Sequence, residues 1–405
     1  MILAGHRNTS RTPNAHETHT DQIYTPGMAR GSVFKRNGRY GIRVDLGPDP
    51  RTGVRRQTSR QGFRTKKEAE HALDEALTSL RNGTMVGRTS MTVAEYLDDW
   101  LEGERLRLKE TTWSSYETAI ARIKANIGSL RVQNLTPRDV ERLYLELAQS
   151  GGRGGKALAT KTVRNTHVVL RKALADAERL GLLGRNPATV ARPPIPQRQE
   201  QQTWTSEDLR TFFASIADDR LQSLYVLLAT TGMRRGEALG LRWRDVDLDA
   251  RELHVVQTLT TVRYTPVFST PKTKRSRRIV YLDVQTVAAL RARRRLQREE
   301  RLRAGDAWDS SLDLVFTDEL GRPVHPDRIT REFGAKAKAA GLAQIRLHDL
   351  RHTYATLALK AGVHPKIVSD RLGHATVGVT LDLYSHVSPA LGRDAADSIA
   401  ATIFG

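Results

Sequence analysis

Six side chains between Arg234 and Tyr384 have the types and spacing needed to cut a phosphodiester without a metal. As a five-coordinate phosphorus forms, the charge on its two non-bridging oxygens must be neutralised. A nucleophile must attack in line, a base must take its proton, and an acid must protonate the leaving oxygen. Arginine suits the clamp because its planar fork gives two hydrogen bonds and stays charged. Tyrosine suits the nucleophile because it can form a phosphoester and later be displaced. A free tyrosine titrates near ~10, so it needs a base or a strongly positive site. TGMRRGEALGLRW sets Arg234 just after a glycine-marked helix break, and TPKTKRSRRIVYL sets Lys272 in a basic turn between two strand-like runs. RLHDLRHTYAT puts His348 and Arg351 three residues apart, on one face of a helix. RLGHATVGVTLDLYSHV puts His374 at a turn and Tyr384 on the next helix.

Each residue also has a structural reading. Arg234 could be a surface residue of a helix start, His348 a cap, Arg351 an ion-pair partner and His374 a helix terminator. Tyr384 could be core beside Leu381 and Leu383, and Lys272 shares its turn with Lys274. The six taken together point to chemistry. A metal site is disfavoured: His-x-x-Arg lacks carboxylate partners at useful spacing, and the chain has no cysteine.

The elements that position these residues fall into three segments after a polar leader, residues 1–29, in which Met28 is an alternative start. Residues 30–88 show short strand-like runs broken by Asn37-Gly38 and by Gly47 to Gly53, then a helical stretch closed by Gly83. A three-stranded sheet with one helix is the simplest reading. Between Arg30 and Lys67 stand twelve Lys or Arg and two Asp. So little acid balances them that a nucleic-acid face is favoured over a solvated one, with Lys35, Arg36, Arg39, Arg43, Arg55 and Arg56 as candidate contacts.

Residues 89–191 read as a four-helix bundle. Thr92 and Glu95 form a capping box ahead of Tyr96, Leu97, Trp100 and Leu101. Trp113, Tyr116, Ile120, Ile123 and Ile127 recur at helical spacing, Thr136-Pro137 opens a third helix, and a fourth spans about Thr160 to Leu182. The proline-rich stretch 192–202 is a linker. Residues 203–405 open on a helix capped by Thr205. Strand-like runs ELHVVQTLT and RRIVYL follow, joined across PVFSTPKTKRS. Next come a helix with seven Arg between Arg291 and Arg303, facing DNA or solvent, a possible strand LVFTD, and further helices. The fold class is mixed and mainly α.

Lys plus Arg number 65 against 45 acids, a formal charge of +20, which suits a polyanionic partner. No apolar run approaches the roughly 20 residues of a membrane span, so nucleic acid is favoured over a membrane.

The set Arg234, Lys272, His348-x-x-Arg351, His374, Tyr384, in that order, closely resembles the tyrosine recombinase (phage integrase) family. The resemblance implies that Arg234 and Arg351 clamp the scissile phosphate. His348 would accept the Tyr384 proton and Lys272 would protonate the leaving 5′ oxygen; Lys-Thr after the strand favours Lys272 over Lys274. His374 would hydrogen-bond a non-bridging oxygen. Tyr384 would form a 3′-phosphotyrosine, with no metal, nucleotide or other cofactor. His352 reads as packing beside this site. The layout matches the family's arm-binding, core-binding and catalytic domains, the last two closing on duplex DNA at the core site and the first binding separate arm attachment sites. Integration, with excision, of a prophage or conjugative element is the implied function, by a homotetramer on DNA in the cytoplasm, on the nucleoid. A directionality factor and a host DNA-bending protein are the implied helpers. The competing readings are a catalytically silent DNA-binding regulator or architectural factor, and a relaxing enzyme like a type IB topoisomerase. The tail after Pro389, with Ala395, Ile399 and Ile403 at helical spacing, would pack on a neighbouring protomer or on its own domain.

Overall fold

The computed structural model describes residues 31–48, 53–81, 89–197, 202–270, 277–373, 376–378, 397 and 399–404. The chain divides into two compact units, residues 1–196 and 197–405. The leader, Gly83, and the candidate catalytic residues Lys272, His374 and Tyr384 lie outside the described residues.

The first unit begins with an antiparallel sheet of β1 (Gly31–Arg36), β2 (Arg39–Pro48) and β3 (Arg55–Phe63), in that order. Asn37 and Gly38 both take positive φ, 49° and 75°, the two-residue hairpin turn that Asn-Gly favours. Helix α1 (Lys66–Arg81) lays Ala69, Ala72 and Leu73 over Ile42 and Val44, and these five form a small core. The rest of the unit is helical: α2 (Val93–Glu104), α3 (Glu110–Ile127), α4 (Pro137–Ser150) and α5 (Thr160–Arg179). The expected capping box is present at Thr92, and Thr136 forms another with Asp139. Tyr96, Leu97, Trp100 and Leu101 are buried in a core shared with α3, α4 and α5. Burying each such large side chain contributes about 1.5–3 kcal/mol. The polar tips are paired, since the Tyr96 hydroxyl donates to the Ala173 carbonyl (2.6 Å) and the Trp100 indole to Asp176 (2.9 Å).

The second unit starts with α6 (Ser206–Ser215), α7 (Gln222–Thr231) and the short α8 (Arg235–Leu239). Five strands follow: β4 (Val246–Asp247), β5 (Glu252–Val255), β6 (Thr258–Val262), β7 (Thr265–Ser269) and β8 (Arg278–Tyr281). They make two antiparallel assemblies, a sheet in the order β4-β5-β8 and a β6-β7 hairpin. ELHVVQTLT is therefore split. Its first half pairs with RIVY, and its second half pairs with TPVFS inside the connection between the two expected runs. Helices α9 (Val284–Ala304), α10 (Pro326–Ala339), α11 (Asp349–Lys360) and α12 (Pro365–Leu372) follow, and residues 399–404 are also helical.

Two expectations are corrected here. LVFTD is not a strand. Leu314, Val315 and Phe316 are buried as irregular chain, whose backbone is satisfied by Leu241 and by the side chains of Arg293 and Gln297. The arginines of α9 do not all face outward either. Arg293 is 2% exposed and bonds Glu300, Thr317 and the Val315 carbonyl, while the other six lie at the surface.

Candidate active site

Gly232 caps α7 in the left-handed conformation, with φ of 64°. A Cβ there would lie 2.4 Å from Leu372 Cδ2 and 2.7 Å from Tyr354 Cδ1, so only glycine lets the end of α7 meet α11 and α12. Two residues on, Arg234 is the extended residue before α8. The close approach leaves the Gly232 carbonyl within reach of α11, where Arg351 Nη1 donates to it at 2.7 Å. Arg351 Nη2 donates to the Leu372 carbonyl at 2.6 Å, and Arg234 Nη2 donates to the next carbonyl, Gly373, at 3.2 Å. Both guanidiniums are thus braced by one turn, the one that closes α12. In the sequence the following residue is His374.

Glu237 sits beneath them, 4% exposed. Its Oε2 accepts from the Arg234 N–H and from Arg278 Nη2, both at 2.9 Å. Its Oε1 accepts from Arg234 Nη1 (2.8 Å) and Arg278 Nη1 (3.2 Å). Burial pushes this carboxyl up, but the Arg278 hydrogen bonds and charge, together with Arg234, hold it below the ordinary carboxylate range. Three guanidiniums, Arg234, Arg278 and Arg351, thus surround one carboxylate, a local formal charge of +2. Arg351, 3% exposed, has its pKa lowered to about 9, first by burial and then by the Arg234 charge. Arg234 is the more open of the two candidate clamp residues, with 38% of its side chain exposed.

His348 is the residue before α11, one turn ahead of Arg351, and is exposed at the surface. It makes an edge-to-face contact with His352 at 5.4 Å between ring centroids. Packing around the ring lowers its pKa, and His352, Arg351 and Arg234 lower it further against the opposing pull of Asp349. The imidazole is therefore neutral at physiological pH and free to accept a proton. The approach to α11 is fixed by Asp349, buried and held by the backbone N–H and guanidinium of Arg346. Among the six candidate catalytic residues, the structure brings together Arg234, His348 and Arg351.

Residues 203–390 match the phage integrase family, residues 32–80 an arm DNA-binding domain, and residues 92–148 the N-terminal SAM-like domain of phage integrases. The chain belongs to the phage integrase family, the tyrosine recombinases. A tyrosine recombinase XerC-like protein of Caldanaerobacter subterraneus subsp. tengcongensis is 29% identical over 394 residues, covering 92% of this chain and 99% of the relative. The ICEBs1 integrase of Bacillus subtilis is 28% identical over 367 residues, covering 90% and 97%. The fold is shared with a solved Tn1549 transposon integrase in complex with transposon right end DNA. The TM-score is 0.65 at 20% identity, over 78% of this chain and all of that one. The expected mainly helical fold with small antiparallel sheets is that of tyrosine recombinases.

Within this tyrosine recombinase, the reading of isolated residues missed Glu237 and Arg278. Glu237 stands three residues after Arg234 at a helix opening, the spacing of a capping box. Arg278 shares a strand face with the fully buried Val280, an unusual place for a cation. The six candidate DNA contacts of the arm sheet are all exposed, but they do not share one face. Register places Arg36, Arg39 and Arg43 on the face away from α1, with Phe34, Gln57, Ser59 and Gln61. Lys35 pairs with Tyr40 on the other face, and Arg55 is committed to Asp45.

Proposed function

We propose that this integrase cuts and rejoins duplex DNA through Tyr384, moving a mobile element by site-specific recombination. The observation that carries the reading is the pair Arg234 and Arg351, braced from the carbonyls of Leu372 and Gly373 with His348 alongside. The Tyr384 oxygen attacks the phosphorus and its proton passes to His348. The five-coordinate species then carries two negative charges, which the local excess of +2 offsets. The P–O5′ bond breaks, Lys272 protonates the departing 5′ oxygen, and His374 donates to a non-bridging oxygen. Strand energy is conserved in the 3′-phosphotyrosine, and a 5′ hydroxyl from the partner strand reverses the step.

The arm sheet supports a second DNA contact, at sites separate from the cleaved core. Its outer face presents Arg36, Arg39 and Arg43 beside Gln57, Ser59 and Gln61, cations for phosphates and amides and hydroxyls for bases. The tail supports assembly: Ile399, Ile403 and Phe404 are 60%, 65% and 85% exposed and suit packing on a neighbouring protomer in a tetramer on DNA. A directionality factor and a host bending protein would act on this assembly, on cytoplasmic DNA. No described helix is long and apolar enough to cross a membrane.

The test is a nicked suicide duplex spanning the junction of the element with its host DNA. Wild-type protein should leave a covalent adduct on a denaturing gel, and Tyr384→Phe should leave none while binding the duplex nearly as well. An adduct in the Phe variant would remove Tyr384 as nucleophile, and relaxation of a plasmid without joining of exchanged partners would point to a topoisomerase.

A further inference from the structure

Arg278 lies on none of the motifs that suggested the chemistry, yet it touches two of the three described segments that brace the two clamp arginines, Glu237 and the 371–373 turn, the third being the Gly232 carbonyl. It opens β8, six residues after Lys272 in the sequence. Its side chain is 7% exposed. The fork closes on both oxygens of Glu237, the carboxylate that holds the backbone N–H and the guanidinium of Arg234. Its Nε donates to the Arg371 carbonyl at 2.6 Å. The next two carbonyls along the chain, Leu372 and Gly373, are those that orient Arg351 and Arg234.

We infer that Arg278 is a positioning residue for strand cleavage. It fixes Glu237 and the 371–373 turn together, and so sets the spacing and direction of the Arg234 and Arg351 guanidiniums. The inference rests on the reading of those two residues as the phosphate clamp. Burial argues against direct contact with the phosphate. Arg278 spends Nε, Nη1 and Nη2 on protein acceptors, and its position against Glu237 is enclosed. A lysine cannot replace it, since one ammonium cannot span two carboxylate oxygens and a carbonyl in the planar arrangement seen here. A displacement of the clamp by about an ångström suffices to slow chemistry strongly, because reacting groups must be held near their attack geometry.

Full-length Arg278→Lys, Arg278→Met and the double variant Arg278→Met/Glu237→Gln test this on the same nicked junction duplex. The readouts are the single-turnover rate of adduct formation, the duplex Kd and the melting temperature. Both single variants should form adduct about 100-fold more slowly, with Kd within about threefold of wild type. Arg278→Met should also lose thermal stability, because it leaves a buried carboxylate short of its partner. The double variant removes that charge, so it should recover the melting temperature and not the rate. Recovery of both, or an Arg278→Lys protein that cleaves at the wild-type rate, overturns the inference and leaves Arg278 a stabilising ion pair. Arg351→Gln run in parallel separates the two levels. If it is inactive while the Arg278 variants cleave normally, only the positioning role fails. If Arg351→Gln also cleaves normally, the clamp reading itself is wrong.

Discussion

The molecule uses arginine in two ways that scarcely overlap. In the catalytic unit, Arg351 is enclosed, bonded to two backbone carbonyls and pressed against other cations, at the cost of a depressed pKa. In the arm sheet, Arg36, Arg39 and Arg43 stand in solvent on a regular strand face, and Arg43 rests against the Phe34 ring at 5.5 Å. A buried braced cation meets charge as it develops and reorganises little, which favours a transition state. An exposed cation is screened by salt and free to adjust, which favours a polymer of regular charge. On the proposed function, the same side chain would serve catalysis or binding according to what holds it.

The sharpest way to break this contrast is one conservative change made in both regions. Arg351→Lys should lower the rate of adduct formation by about 10²–10³-fold, as loss of a preorganised donor to a developing oxyanion does. Binding to the duplex should change far less. Arg39→Lys should leave both cleavage and arm-site binding within about threefold, since a phosphate at an exposed site asks only for a point charge. Equal losses at the two positions would show that both regions use the fork geometry and that bracing is not the distinction.

A smaller effect is expected from removing charge at the sheet. Arg36→Gln, Arg39→Gln and Arg43→Gln together should reduce the salt dependence of arm-site binding by about one unit of slope for each phosphate no longer neutralised. Cleavage of a core duplex lacking arm sites should be unchanged. Filter binding across a salt series reads the first, and the suicide duplex reads the second. A slope identical to wild type would mean that the open face of the sheet does not bind the arm sites.

The legibility of the two regions differs for a related reason. The arm sheet was readable because its signals are local: Asn37-Gly38 fixes a turn by φ alone, and strand alternation assigns faces. Even so, treating its cations as one set was too coarse, since alternation puts Lys35 opposite Arg36 and Asp45 claims Arg55. In the catalytic unit, the motif spacing exposed Arg234, His348 and Arg351, and the described structure brings them together. What spacing could not show was the support. Glu237 and Arg278 meet across 41 positions, and the Leu372 and Gly373 carbonyls lie 21 and 139 positions from the arginines they bind, Arg351 and Arg234. Backbone carbonyls carry no signature in the sequence, because every residue has one. The split of ELHVVQTLT and the irregular LVFTD have the same origin, since long-range partners decided the pairing where local β-propensity was ambiguous.

The smallest effect concerns pH, and it asks whether the braced region is also insulated from the medium. His348 faces His352 and Arg351 on its own helix, Asp349 beside it, and Arg234 from α8. Burial and the three cationic or basic neighbours outweigh Asp349, so its pKa lies well below the ordinary 6.5, at about 4. The acid limb of the second-order cleavage rate, which reports the free enzyme, should therefore fall below the usual histidine range. Between pH 7.5 and 6 the rate should hold nearly constant, whereas a histidine of ordinary pKa would lose about fourfold over that interval. Stability follows the same proton. As pH falls below 6.5 the unfolded chain protonates this histidine before the folded protein does, so the His348 contribution is intact above that pH and declines toward pH 4. Because His348 is exposed to solvent, the thermal effect should be modest, seen as a flatter fall in melting temperature between pH 7 and 5 for His348→Gln than for wild type. A cleavage rate that drops fourfold by pH 6 in wild type and not in His352→Gln would place the titrating proton on His352. The same drop persisting in His352→Gln would show that His348 carries an ordinary pKa and that its neighbours do not hold it neutral.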